Sequence, residues 1–201
     1  MIIRDLLQRS PSLPLVNQGQ ARIADKRDER AVAELQAELS TFVCEGQYAD
    51  GLARVIESFL KNLGHTSQQA AWVSGFFGSG KSHVLKMLAH LWADTVFPDG
   101  STARSLVPAM PGDLPELFRE LDTAGRRAGG LLAAAGSLPS GSTDLVRQTV
   151  LGALLRGVGL PDLYPQAQFC LWLHDQGYLQ TVKTYVERAG KRSSFFQIPF
   201  S

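Results

Sequence analysis

Gly75-Phe76-Phe77-Gly78-Ser79-Gly80-Lys81-Ser82 fills every fixed position of G-x-x-x-x-G-K-[ST], the spacing of a phosphate-binding loop. Each fixed residue has a separate task in that chemistry. Glycines at 75, 78 and 80 admit backbone dihedrals that other residues avoid, so main-chain N–H groups can converge on an anion. A helix opening at about Lys81 adds the positive end of its dipole. Lys81 is the candidate catalytic residue, reaching the terminal phosphates as a point charge. The Ser82 hydroxyl is the candidate metal ligand, one position on an octahedral magnesium ion whose other ligands are phosphate oxygens and water. Phe76 and Phe77 have no part in phosphate binding; packing of the loop against its own domain or a partner is the expected role.

The elements that must hold such a loop are a strand before it and a helix after it. Ala70-Ala71-Trp72-Val73-Ser74 is an apolar run of strand length, and 83–92 has helical spacing, with Val84, Leu85, Leu88 and Leu91 or Trp92 on one side. Upstream, residues 1 to 25 read as an extended arm broken by Pro11 and Pro14. An amphipathic helix over about 28–44 and a second over about 49–63, closed by Gly64, form a helical hairpin. Downstream, 101–112 has no clear period, and Asp113 with Pro115 and Glu116 signals a helix over about 114–127. Leu131-Leu132-Ala133-Ala134-Ala135 reads as a second buried parallel strand. Ser137 to Thr143 is a loop, and helices are expected at about 143–157, 165–176 and 178–189. The expected fold class is therefore α/β, an incomplete parallel sheet of the P-loop NTPase type with a helical arm before it and a helical extension after it. Its divisions are an arm and hairpin over 1–65, a nucleotide-binding core over 66–142, a helical extension over 143–190 and an irregular tail over 191–201.

Composition narrows the function by exclusion. The 201 residues carry a formal charge of +1, so no global electrostatic footprint marks a nucleic acid or a membrane surface as partner, and DNA contact is not readable. Cys44 and Cys170 are the only cysteines and form no C-x-x-C, so neither a metal site nor a disulfide framework is indicated. No stretch approaches the roughly 18 apolar residues of a membrane span, and the reading is a cytoplasmic protein.

A complete nucleotide hydrolase also needs an acid, usually at the end of an apolar strand, to hold the magnesium and polarise water. The nearest mimic is Phe169-Cys170-Leu171-Trp172-Leu173-His174-Asp175, which follows Pro165 without a turn and ends before Gly177 as a helix does. Read as a helix, it leaves the acidic site unfilled, and the chain then looks like the amino-terminal part of a larger ATPase.

Residues 72–88, with the double Phe and His83 after the loop, resemble the large P-loop ATPases of bacterial BREX phage-exclusion systems, the BrxC/PglY family. Asp28-Glu29 and Glu34-Leu35 before the loop are similar too, as are Ala133-Ala134-Ala135-Gly136, Ser142 and Arg147 to Leu151 after it, and the likeness is greatest to the PglY branch. The resemblance extends over about 1–190, although the chain is far shorter than members of that family. It implies binding of ATP with Mg2+, hydrolysis in a longer chain or assembly, and a role in phage resistance beside other defence proteins. Carried over residue by residue, the nucleotide-binding set is Gly75, Gly78, Gly80, Lys81 and Ser82, with Ser79 and His83 adding backbone contacts; the His83 side chain is read as facing solvent or a neighbouring loop. Arg126, Arg127 and Arg147 are read as solvated helix residues. Other classes use the same loop. A GTP switch lacks its Asn-Lys-x-Asp signature here, a small-molecule kinase carries the loop nearer its start, and a non-catalytic nucleotide-binding or docking fragment needs no acid at all.

Overall fold

Apolar residues recur every three or four positions along most of this chain, and the backbone follows that period. The computed structural model describes residues 29–67, 69–136 and 146–188. Its elements are α1 Glu29–Thr41, α2 Gln47–Lys61, α3 Lys81–Trp92, α4 Ala103–Leu106, α5 Leu114–Arg127, α6 Val146–Gly157, α7 Tyr164–Asp175 and α8 Leu179–Arg188. The arm over 1–25, the loop from Ser137 to Thr143 and the tail from Lys191 to Ser201 lie outside the described residues.

The architecture among the described residues is all-helical, which corrects the α/β expectation. Neither 70–74 nor 131–135 is a strand, and ladder pairing is confined to an isolated antiparallel bridge between Val96 and Thr102. The reason is that a strand is stable only when neighbours take up its N–H and C=O groups and cover its apolar side chains, which asks for about three strands or a covering helix. Two runs of five residues cannot supply that to each other. Trp72 accordingly stands 91% exposed, and the run that contains it contributes nothing to a core. In the second run, Leu131 lies over Gly125 of α5, where an added Cβ would come within 2.5 Å of it.

The chain divides into two compact units between Leu131 and Leu132. In the first, α2 packs along α5 while α4 touches both α1 and α3. Leu35 and Leu39 of α1, Leu52 and Ile56 of α2, Met87 and Leu91 of α3, and Leu114, Phe118 and Leu121 of α5 meet in its buried core. The buried side of α3 holds the expected Leu91, Val84, Leu88 and Trp92 but is centred nearer Met87, which leaves Leu85 outside it. Met87 and Leu91 are its deepest residues, Val84 and Leu88 are partly covered, and Leu85 faces water. Lys86 and His90 are buried beside them. Lys86 forms an ion pair of 2.5 Å with Glu38 of α1, and His90 Nδ1 lies 3.1 Å from the Thr95 hydroxyl.

Arg104, in the stretch that shows no period in the sequence, fixes the far end of α3. Its guanidinium donates to the carbonyls of Leu91 (2.7 Å) and Trp92 (3.1 Å), which have no partner inside the helix, and to Asp122 Oδ2 (2.7 Å) on α5. It also lies 4.4 Å from the ring centre of Phe118. α4 itself exists through a capping box, in which Thr102 and Ser105 satisfy each other's backbone N–H groups. In the second unit, α7 packs on α6 and α8, and Leu160, Ala167 and Cys170 make a small core with Leu155 against it.

Candidate phosphate-binding loop

The loop forms at the start of α3 without strand support. Ser79 N–H donates to Phe76 C=O (3.2 Å) to close a turn, and Gly78 and Gly80 take φ of 80° and 79°. Gly80 is the N-cap of α3, and its left-handed backbone turns the chain from loop into helix, a conformation costly for any residue with a Cβ. Gly75 is in close approach instead, since a Cβ there would meet Ser79 Oγ at 2.8 Å and turn that hydroxyl aside. The first bond of α3 runs from Val84 N–H to Gly80 C=O (2.9 Å). The N–H groups of Lys81, Ser82 and His83 therefore have no partner within the helix and open outward as anion donors.

Lys81 is folded back over this loop. Its ammonium donates to the carbonyls of Gly75 (2.8 Å) and Phe76 (2.6 Å), with Ser79 Oγ more distant at 3.4 Å. An ammonium has three donors, and the third here has a poor partner that a phosphate oxygen would improve on. Among the described residues no carboxylate forms an ion pair or hydrogen bond with Lys81, so its charge stays unneutralised. Ser82 is exposed on the first turn of α3. The donor set thus fits a polyphosphate, with ammonium, helix N–H groups and a hydroxyl on consecutive residues. Groups of three or more His, Cys, Asp or Glu that could hold a metal ion are absent among the described residues, so magnesium here would depend on phosphate oxygens, water and Ser82.

Of the two surroundings expected for His83, solvent or a neighbouring loop, the structure shows the loop. Its ring is half-buried and meets Phe42 edge-on at 5.8 Å, because the first turn of α3 lies against the chain between α1 and α2. Burial pushes the His83 pKa below its ordinary value; the Glu38 carboxylate opposes that shift and the Lys86 ammonium adds to it. The folded state therefore binds fewer protons here than the unfolded chain. Stability from this site is complete above the unfolded pKa of about 6.5 and is lost as pH falls from there through the folded value. Urea titrations between pH 7.5 and pH 5 should show the first unit weakening on acidification, and His83→Gln should flatten that dependence. A His83→Gln protein with the same slope as the parent would locate the effect elsewhere.

Phe76 and Phe77 are fully exposed, which overturns packing against their own domain. Arg126, Arg127 and Arg147 are exposed, and among the described residues Arg126 donates a hydrogen bond to Thr123 of its own helix (3.1 Å). Tyr48 is the participant that sequence reasoning missed. It stands 31 residues before Ser79 and donates its hydroxyl to the Ser79 carbonyl at 2.9 Å. No local pattern links an aromatic on α2 to the loop, and only the tertiary fold brings them together. No helix among the described residues is long and apolar enough to cross a membrane. Against known proteins, no family model matches the chain and no solved structure matches it at a significant level.

Proposed function

We propose that this chain binds Mg-ATP through Gly75–Ser82, with Lys81 on the terminal phosphates and Ser82 on the magnesium ion. The observation that carries this reading is the Lys81 ammonium, held at the mouth of α3 beside unpaired helix N–H groups with no carboxylate to neutralise it among the described residues. Bound ATP supplies the anhydride phosphates. The chain's own residues contribute charge, N–H donors and a hydroxyl that orient them.

Hydrolysis needs an acid beside the metal, and no hydrogen bond or ion pair brings one to Lys81 or Ser82 among the described residues. The reading therefore assigns turnover to a longer chain or an assembly. The resemblance of residues 72–88 to BREX ATPases supports a cytoplasmic place in phage defence beside other proteins of such a system. Calorimetry with Mg-ATP, followed by a phosphate-release assay on the same sample, tests both parts. Saturable binding without release is the expected result. Release by the purified chain alone would overturn the assignment of turnover, and absence of heat at millimolar ATP would overturn the site.

A further inference from the structure

Tyr48 lies on the first turn of α2, and among the described residues its hydroxyl is the side-chain group that joins another element to the loop by a hydrogen bond. The contact is directional. The Ser79–Gly80 peptide is trans, so its C=O and N–H point in opposite directions, and a carbonyl aimed at Tyr48 turns the Gly80 N–H to the other side. That N–H donates to no backbone carbonyl among the described residues. The ring also sits close to Gly80 itself, since a Cβ built there would come 3.2 Å from the Tyr48 hydroxyl oxygen.

A peptide preceding a glycine in the left-handed region is easily turned over, because glycine accepts φ of either sign. Turned over, it would present the Ser79 carbonyl oxygen where a phosphate needs a donor. We propose that Tyr48 is a positioning residue for the phosphate loop: by donating to Ser79 C=O it holds the 79–80 peptide in the orientation that offers the Gly80 N–H to a phosphate. This rests on the nucleotide-binding reading of the same loop.

The test compares the parent chain, Tyr48→Phe and Lys81→Ala, with pyrophosphate and Mg-ATP as probes. Affinity is read by calorimetry, folding by thermal melting, and the Gly80 amide by two-dimensional NMR. Tyr48→Phe keeps the ring and loses only the hydroxyl, and is expected to weaken both probes roughly tenfold with an unchanged melting curve. In the parent, pyrophosphate should shift the Gly80 amide resonance strongly, and in Tyr48→Phe that shift should shrink. Unchanged affinity in Tyr48→Phe, beside a parent that binds and a Lys81→Ala protein that does not, overturns the role of Tyr48 and leaves the site standing. A Gly80 resonance unmoved by pyrophosphate in the parent overturns it as well, whether or not the variant folds. Should the parent fail to bind, or Lys81→Ala bind as well as the parent, the site reading falls and the Tyr48 role with it.

Discussion

Lys81→Ala is expected to reduce Mg-ATP affinity at least about a hundredfold, to the point where calorimetry records no binding, while the melting curve barely moves. The ammonium is the one side-chain charge that sits inside the loop, and each charge-assisted hydrogen bond it would make to a phosphate oxygen is worth about 1.5–3 kcal/mol. Two such bonds account for the hundredfold. The folded state loses little, because the carbonyls of Gly75 and Phe76 belong to exposed residues and water replaces the lysine as their partner. Lys81→Arg keeps the charge but replaces a compact ammonium with a planar fork too wide for the same carbonyl pair, and should recover only part of the affinity. A folded Lys81→Ala protein with the parent's affinity would remove the loop from any account of nucleotide binding.

Arg104→Ala should produce the largest loss of stability, about 3 kcal/mol from the first unit. The side chain is 13% exposed and makes four contacts at once, to the Leu91 and Trp92 carbonyls, the Asp122 carboxylate and the Phe118 ring. Its removal takes a donor from the Trp92 carbonyl, leaves the Leu91 carbonyl with the longer bond from Asp94 N–H (3.4 Å), and leaves the Asp122 carboxylate, one-third exposed, without its ion-pair partner. The partial exposure of Asp122 places the cost at the lower end of the range for broken buried pairs, because water reaches the carboxylate. For a unit of this size the melting midpoint should fall by about 10 °C or more. Arg104→Lys retains one charge contact but cannot serve both carbonyls and the carboxylate, and should fall between. A loss under about 0.5 kcal/mol in Arg104→Ala would mean that α3 is anchored by its apolar side and the Lys86–Glu38 pair without help from Arg104.

The helices were legible because their period is written in apolar residues. The reading of α5 over 114–127 matches Leu114–Arg127, and α2, α7 and α8 lie within two residues of their expected bounds. Phe169 to Asp175 is helical as its flanking residues implied, with Gly177 in the left-handed region beyond it. The start of α3 at Lys81 was legible from the glycine that must precede it. Less was legible where short range and long range compete. Asp113 occupies the N-cap of α5, yet its side chain makes no capping bond there. The apolar runs at 70–74 and 131–135 look like strands because a window of five residues does not record whether a partner strand exists. α4 escaped notice because a single turn shows no period, and its capping box joins a Thr and a Ser where the recognisable form ends in Glu or Gln. At the loop, residue types fixed the donor set, but the fold supplied the Tyr48 contact and the burial of His83.

The exposure of Trp72 makes the loop optically addressable. Its indole stands nine residues ahead of Lys81 and is 91% exposed, whereas Trp92, at the other end of α3, lies edge-on to Phe59 at 4.6 Å. A collisional quencher such as iodide reaches the first freely and the second poorly. Trp172 is also open to solvent, so in a Trp172→Phe background the quenchable part of the emission belongs to Trp72. A ligand or protein that covers or stiffens the segment before the loop then declares itself as protection from quenching, with Trp92 as the internal reference and no label attached.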